Sequence, residues 1–288
     1  MQEDENYYKM KLIITGCRGL VGTNILPILN RYFSVIPLDI EEWDITDIKI
    51  GESIIREHSP DIVLNLAAFT NVDGCEEYRE LAQKVNGEGA GIIAELCRMH
   101  NIRLVHISTD YVFDGEKGSP YTEEDMPNPL SIYGMTKLSG EKNVMERYPS
   151  PLIIRAQWLY GNGGETFISK VIKIAREKGV VEVVEDQRGT PTYAKDLAEP
   201  IRILIEKGKS GIYHISDSGS CTWFEFAREV FRCLKIDVKL KPITSSMLNR
   251  KARRPKYSVF DCTKLQIDTH ITMRTWQEAL QEYLDKTV

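Results

Sequence analysis

A short apolar run that opens into three evenly spaced glycines constrains this chain more than any other stretch. Leu12-Ile13-Ile14 is uncharged and largely β-branched, which suits a strand buried on both faces of a parallel sheet. Glycines follow at 16, 19 and 22, and helical spacing covers Thr23 to Tyr32. Strand, glycine turn and helix in that order let backbone approach a pyrophosphate and aim N–H groups and a positive dipole end at it. The spacing GxxGxxG meets the general dinucleotide fingerprint only loosely, and three glycines alone also suit an ordinary βα turn. The run Val35 to Leu38 favours the dinucleotide: it reads as a second strand and ends in Asp39, roughly 20 residues on, where a carboxylate accepts hydrogen bonds from ribose hydroxyls.

From Lys11 onward strands and helices alternate. Residues 61–66 and 103–107 read as further buried strands, with helical spacing over 80–100 between them. This order predicts an α/β fold: a doubly wound parallel sheet of Rossmann type with a smaller C-terminal substrate-binding lobe. Ligands gather at the carboxyl ends of such strands, so segments 16–22, 39–45, 67–73, 108–114 and 156–161 are expected to converge. Beyond Arg155 the alternation loosens. Helix is expected over 166–178, 194–207 and 222–234, strand over 180–184 and 211–215, and loop over QRGTPTY (187–193). The expected division is a flexible extension at 1–9, a dinucleotide-binding domain at 10–160, and a lobe at 161–288. Parts of 187–220 and 255–265 are expected to return to the first domain.

The net charge of −5 provides no basic footprint for nucleic acid. Six scattered cysteines without CxxC or Cys/His clusters read as reduced thiols and leave no metal site to expect. The polar, acidic start lacks signal-peptide character, and no uncharged apolar run approaches the roughly 18 residues of a membrane span. A cytoplasmic protein without membrane partners is expected; a homodimer is left open.

Two segments carry chemistry. Tyr133 and Lys137 lie four residues apart at the head of a helical run, so they share a face, and the ammonium is expected to bias the phenol toward phenolate. Such a phenol exchanges a proton during redox chemistry at a carbonyl, although an isolated YxxxK also suits a surface pair. Ser108-Thr109-Asp110-Tyr111 leaves a strand with hydroxyls and a carboxylate; a helix cap or turn is its bland reading. Glycine turn, strand exit and Tyr/Lys helix agree on one function.

With those motifs in place the sequence resembles the extended short-chain dehydrogenase/reductases, and among them the dTDP-4-dehydrorhamnose reductase family. The likeness runs from Met10 through TGCRGLVG, LDIEEWDITD, PDIVLNLAAFTNVDGCE, Val85-Asn86, ISTDYVFDG, NPLSIYGMTKLSGE, IIRAQWLYG, QRGTPTYAKDLA and RPKYSVFDCTKL. The resemblance implies NADH or NADPH as cofactor and a nucleotide sugar as substrate. It places Gly16, Arg18, Gly19, Leu20, Val21 and Gly22 at the cofactor turn and Asp39 at the adenosine ribose. Asp44 and Ile45 would border the adenine; Ala67, Ala68, Phe69 and Thr70 would pass beneath the cofactor. Thr109, Tyr133 and Lys137 match the catalytic trio, with Tyr133 and Lys137 also touching cofactor. Thr109, Asp110 and Trp158 match substrate positions, Trp158 as a flat wall or as simple core filling.

Three departures qualify the match. Arg18 stands where a small or neutral polar residue is usual, and Ile40 follows Asp39 where many relatives carry arginine. Arg18 suits a 2′-phosphate whereas Asp39 repels one, so NADH with NADPH tolerated is the expectation. Gln157 replaces a small hydroxyl residue before Trp158, leaving the sugar open. The basic run Arg250–Lys256 reads as a solvated loop, with Arg254 reaching a diphosphate as the alternative. The functional alternatives are a reductase or epimerase for another nucleotide sugar, and a regulatory subunit resembling the β subunit of methionine adenosyltransferase.

Overall fold

The computed structural model describes residues 9–287; the expected extension at 1–9 lies outside them except for Lys9. The apolar start becomes β1 (Lys11–Thr15), with Leu12, Ile13 and Ile14 wholly buried. The glycine turn leads into α1 (Leu20–Leu29) and back to β2 (Ser34–Leu38). Pro37 lies in β2, which forms the sheet edge, where a missing N–H costs no ladder bond. The next helix, α2 (Ile48–His58), has no counterpart in the sequence reading; Asp47 caps it by accepting from the N–H groups of Lys49 and Ile50.

β3 (Ile62–Asn65) is followed by α3 (Val72–Glu77), capped by Asn71, and α4 (Arg79–Ala82). A π-helical stretch at Gln83–Gly89 joins α4 to α5 (Ala90–Met99), so the helix expected over 80–100 changes pitch in its middle. Then come β4 (Arg103–Thr109), α6 (Ile132–Arg147), capped by Ser131, and β5 (Leu152–Ala156).

The remaining chain adds β6 (Leu159–Tyr160), α7 (Phe167–Lys178) and β7 (Val180–Val184). The segment expected as a loop over 187–193 carries two short strands, β8 (Arg188–Gly189) and β9 (Thr192–Tyr193). They were illegible because two residues have no periodicity; pairing partners far along the chain define them. α8 (Ala198–Glu206), β10 (Gly211–Ile215), β11 (Cys221–Thr222), α9 (Trp223–Leu234), β12 (Lys239–Ile243), α10 (Thr263–Thr269) and α11 (Trp276–Thr287) complete the fold.

The main sheet is parallel throughout, in the order β10-β5-β4-β3-β1-β2. The chain moves outward from β1 to β2, then crosses to β3 on the other side of β1, so the strand order reverses there. A crevice at the carboxyl ends follows from that reversal. Apolar cores fill both faces of the sheet, and Leu197, Ile201 and Leu265 share the core of Leu12 and Ile14. A separate core gathers α7, α9 and α11 through Ile168, Phe226, Trp276 and Leu280, with β8 pairing β11, β12 pairing β7 and β9 pairing β6 around it.

Candidate active site

The five strand-exit segments expected to meet do meet, in one cavity of about 620 Å³. At its first end lies the glycine turn. Gly16 adopts a φ of 66°, and a β-carbon there would stand 2.8 Å from the amide nitrogen of Ala67. Gly22 allows a closer approach still, since its β-carbon would collide with the Cys17 carbonyl at 2.3 Å. Gly19 caps α1 without a side chain, leaving the first-turn N–H groups without a side-chain acceptor and free for an anion. This cradle fits the pyrophosphate of a dinucleotide.

Asp39 stands where β2 ends. Its carboxylate accepts from the backbone N–H of Arg18 at 2.7 Å and of Ile40 at 2.9 Å, which fixes its orientation toward the cavity it lines. The Arg18 guanidinium is exposed and ion-paired with both Glu41 and Glu42. Gly16, Gly19, Leu20, Val21, Asp39, Asp44, Ile45, Ala67, Ala68 and Thr70 all line the cavity. Arg18, Gly22 and Phe69 are not on its wall. Arg18 turns to its acidic neighbours and Gly22 packs against the turn. Phe69 has its backbone clamped by Asn86, whose amide accepts from the Phe69 N–H and donates to its carbonyl.

The second end holds the proton chemistry. Thr109 closes β4, while Tyr133 and Lys137 stand one turn apart on α6. Gly134 brings that helix against the Tyr111 carbonyl, 2.2 Å from where a β-carbon would be, and the Tyr133 ring meets Tyr111 edge-on at 5.3 Å. Burial pushes the Tyr133 phenol above its ordinary range, eased by a hydrogen bond with Thr109. Lys137 is buried and donates to the Ile107 carbonyl at 2.6 Å. Burial lowers its pKa to about 8, with the Glu141 carboxylate opposing the fall. The expectation that Lys137 biases the phenol toward phenolate is therefore corrected: desolvation dominates, and the phenol stays a protonated donor.

Glu141, wholly buried, is ion-paired with the Arg155 guanidinium through bonds of 2.9 and 2.7 Å and accepts from the Ser108 hydroxyl. Asp110 is buried; it accepts from the Thr109 hydroxyl at 3.1 Å, and burial pushes its carboxyl up to about 6. Arg254 is no part of a solvated loop. Its side chain is nine-tenths buried and pairs with Asp73 at 2.8 Å; burial pushes the nearby Tyr111 phenol up to about 12, and Arg254 only partly opposes that rise.

Several cavity residues escaped the sequence reading, among them Trp43, Val72, Val85, Tyr111 and Trp223. Trp43, Val72, Val85 and Tyr111 lay within the motifs that carry the resemblance, while Trp223 heads a helix recognised only as amphipathic. Among the described residues no cluster of three or more His, Cys, Asp or Glu side chains has metal-holding geometry, and no helix is long and apolar enough to cross a membrane.

Known proteins resemble this chain over nearly its whole length. The family model of the RmlD substrate binding domain matches residues 10–288. A dTDP-4-dehydrorhamnose reductase of Streptomyces griseus is 39% identical over 284 residues, covering 96% of this chain and 93% of the relative. A dTDP-4-keto-6-deoxy-D-glucose reductase of Streptomyces niveus is 36% identical, over 94% and 95% of the two chains. The crystal structure of dTDP-4-dehydrorhamnose reductase from Bacillus anthracis in complex with NADP is similar at a TM-score of 0.94 and 37% identity, over 97% of this chain and 100% of that one.

Proposed function

The chain belongs to the dTDP-4-dehydrorhamnose reductase family, and from that premise we propose that it reduces the C4 ketone of a dTDP-linked 4-keto-6-deoxysugar at the expense of NADH or NADPH. The proposed substrate is dTDP-4-dehydro-L-rhamnose and the product dTDP-L-rhamnose. The observation that carries this reading is the single cavity shared by the glycine turn and by Thr109, Tyr133 and Lys137.

When bound, the nicotinamide supplies the hydride. Gly16, Gly19, Leu20 and Val21 would hold the pyrophosphate, Asp39 the adenosine ribose, and Asp44 and Ile45 the adenine, above a floor of Ala67, Ala68 and Thr70. An ammonium has three donors; Lys137 commits one to Ile107, leaving two for the hydroxyls of the nicotinamide ribose. Tyr133, kept neutral by burial, donates its proton to the ketone oxygen as charge develops there. Thr109 has a single hydroxyl proton, shared here with Asp110, and would turn it to the same oxygen. In its reduced product the substrate carbon carries the hydride and the oxygen carries the tyrosine proton.

Oxidation of NAD(P)H, followed spectrophotometrically against a panel of dTDP-linked 4-keto sugars, tests the reading. Turnover with dTDP-4-dehydro-L-rhamnose is expected to exceed that with other ketosugars; no turnover with any would overturn it. Preference for another sugar would favour the second reading, a reductase for a different dTDP-4-keto-6-deoxysugar, which the Streptomyces niveus relative supports.

Arg18 locked between Glu41 and Glu42, together with Asp39 at the ribose, favours NADH over NADPH. Replacing both glutamates with glutamine is expected to free the guanidinium and raise the NADPH to NADH turnover ratio about tenfold, the equivalent of about 1.4 kcal/mol. An unchanged ratio would remove Arg18 from cofactor choice.

A further inference from the structure

On the wall of the same cavity, aromatic rings form a ladder to which ketone reduction assigns no role beyond Trp158. Trp223 stacks on one face of that indole, with ring centroids 3.6 Å apart and planes 5° from parallel. Gly189 backs the ring so closely that a β-carbon there would stand 2.4 Å from Cε2. Trp223 leans in turn on Phe167, 4.5 Å away. The flat wall expected of Trp158 alone is thus a composite: Trp158 follows a strand of the main sheet, whereas Gly189 sits on β8, Trp223 heads α9 and Phe167 heads α7.

The local backbone is built to keep this arrangement. Trp158 has a φ of 46°, a left-handed conformation that a bulky side chain keeps only where its surroundings over-determine it. Trp223 is held by a capping box between Thr222 and Glu225, and Glu225 is tied to Arg188, the neighbour of Gly189. The strand register sets Ala156 beside Thr109, so Trp158 emerges two residues beyond the group that meets the ketone oxygen. Both indoles line the cavity, as do the apolar Leu159 and Val72.

We infer that Trp223 is a specificity-determining residue of the sugar subsite: stacked on Trp158, it completes an apolar wall that accepts the C6 methyl of a 6-deoxyhexose and penalises a C6 hydroxyl. This rests on the ketoreductase reading and deepens it. A methyl group against the two indoles gains from leaving water, whereas a hydroxyl there loses its water partners and finds no acceptor among apolar atoms. The discrimination available to an apolar pocket is modest, about 10- to 100-fold.

The test is equilibrium binding of two ligands that differ only at C6, dTDP-6-deoxy-D-glucose and dTDP-D-glucose, to the full chain in the presence of NAD⁺, with dTDP as reference. Wild type is expected to prefer the 6-deoxy ligand about tenfold or more. Trp223→Ala is expected to bring that preference close to one while the affinity for dTDP stays unchanged. Trp223→Phe, which keeps an aromatic face on Trp158, is expected to give an intermediate preference and carries the test if the alanine variant does not fold. A preference equal to wild type in the variants, or an equal loss of affinity for all three ligands, would overturn the inference. Wild-type turnover of the ketosugar separates the two failures: turnover with an unmoved preference sinks only the role of Trp223, and absent turnover sinks the ketoreductase reading itself.

Discussion

Tyr133 is asked to be an acid, and its surroundings suit that task better than the paired tyrosine and lysine alone suggest. Burial keeps the phenol protonated through the neutral range, while the ammonium that spacing pointed to donates to the Ile107 carbonyl and keeps two donors for the ribose. Tyr133→Phe is expected to lower kcat by about 10²- to 10⁴-fold with cofactor affinity kept, measured by steady-state turnover and by nucleotide titration. Lys137 governs the alkaline side. Its ammonium is the form that binds ribose hydroxyls, so kcat/KM is expected to fall as pH rises through about 8. Glu141 favours the ammonium, so Glu141→Gln is expected to move that limb to lower pH; a pH profile with an unmoved limb would deny the coupling. The spacing Tyr133 to Lys137 was legible in the sequence, but the sign of the phenol's shift was not, because desolvation depends on what the fold packs around the ring.

At the scale of elements, α6 matters because it carries both catalytic side chains, and three contacts fix it. Gly134 lets it lie against Tyr111, Ser131 caps its start, and Glu141 joins it to Arg155 on β5. Breaking a buried pair strands the remaining charge, so Arg155→Met is expected to cost about 3–5 kcal/mol, measurable by denaturant unfolding. A variant as stable as wild type would mean that Glu141 protonates or finds water instead. At α9, Thr222→Ala removes the side-chain oxygen of a capping box and is expected to cost about 1 kcal/mol by the same measurement. Elements with strong periodicity or apolar runs, such as β1, β4, α7 and α9, were legible in the sequence. The hidden ones rest on non-local pairing, as in β8 and β9; α2, amphipathic and capped by Asp47, carried a readable pattern of its own. The π-helical stretch was hidden too: Asn86 bonds across to Phe69 and Thr136, and no pattern within 83–89 announces those partners.

For the molecule as a whole, alternating strands and helices were enough to foresee a parallel sheet and a crevice at its carboxyl edge, since connection handedness and strand burial leave few other arrangements. What the chain order does not carry is the seam between the main sheet and the second core. There Trp158 is clamped by Gly189 and Trp223 from elements more than thirty residues away, and a residue from a helix read as merely amphipathic becomes part of the cavity wall. The central claim is that this cavity delivers a hydride to the sugar's C4 while Tyr133 protonates its oxygen. The most direct measurement is mass spectrometry and NMR of the product formed from dTDP-4-dehydro-L-rhamnose and NADH deuterated at the transferring position, in wild type and in Tyr133→Phe. Deuterium at C4 in the wild-type product, formed at a rate that collapses in the variant, is the expected result. A product without deuterium at C4, or equal rates in the two proteins, would contradict it.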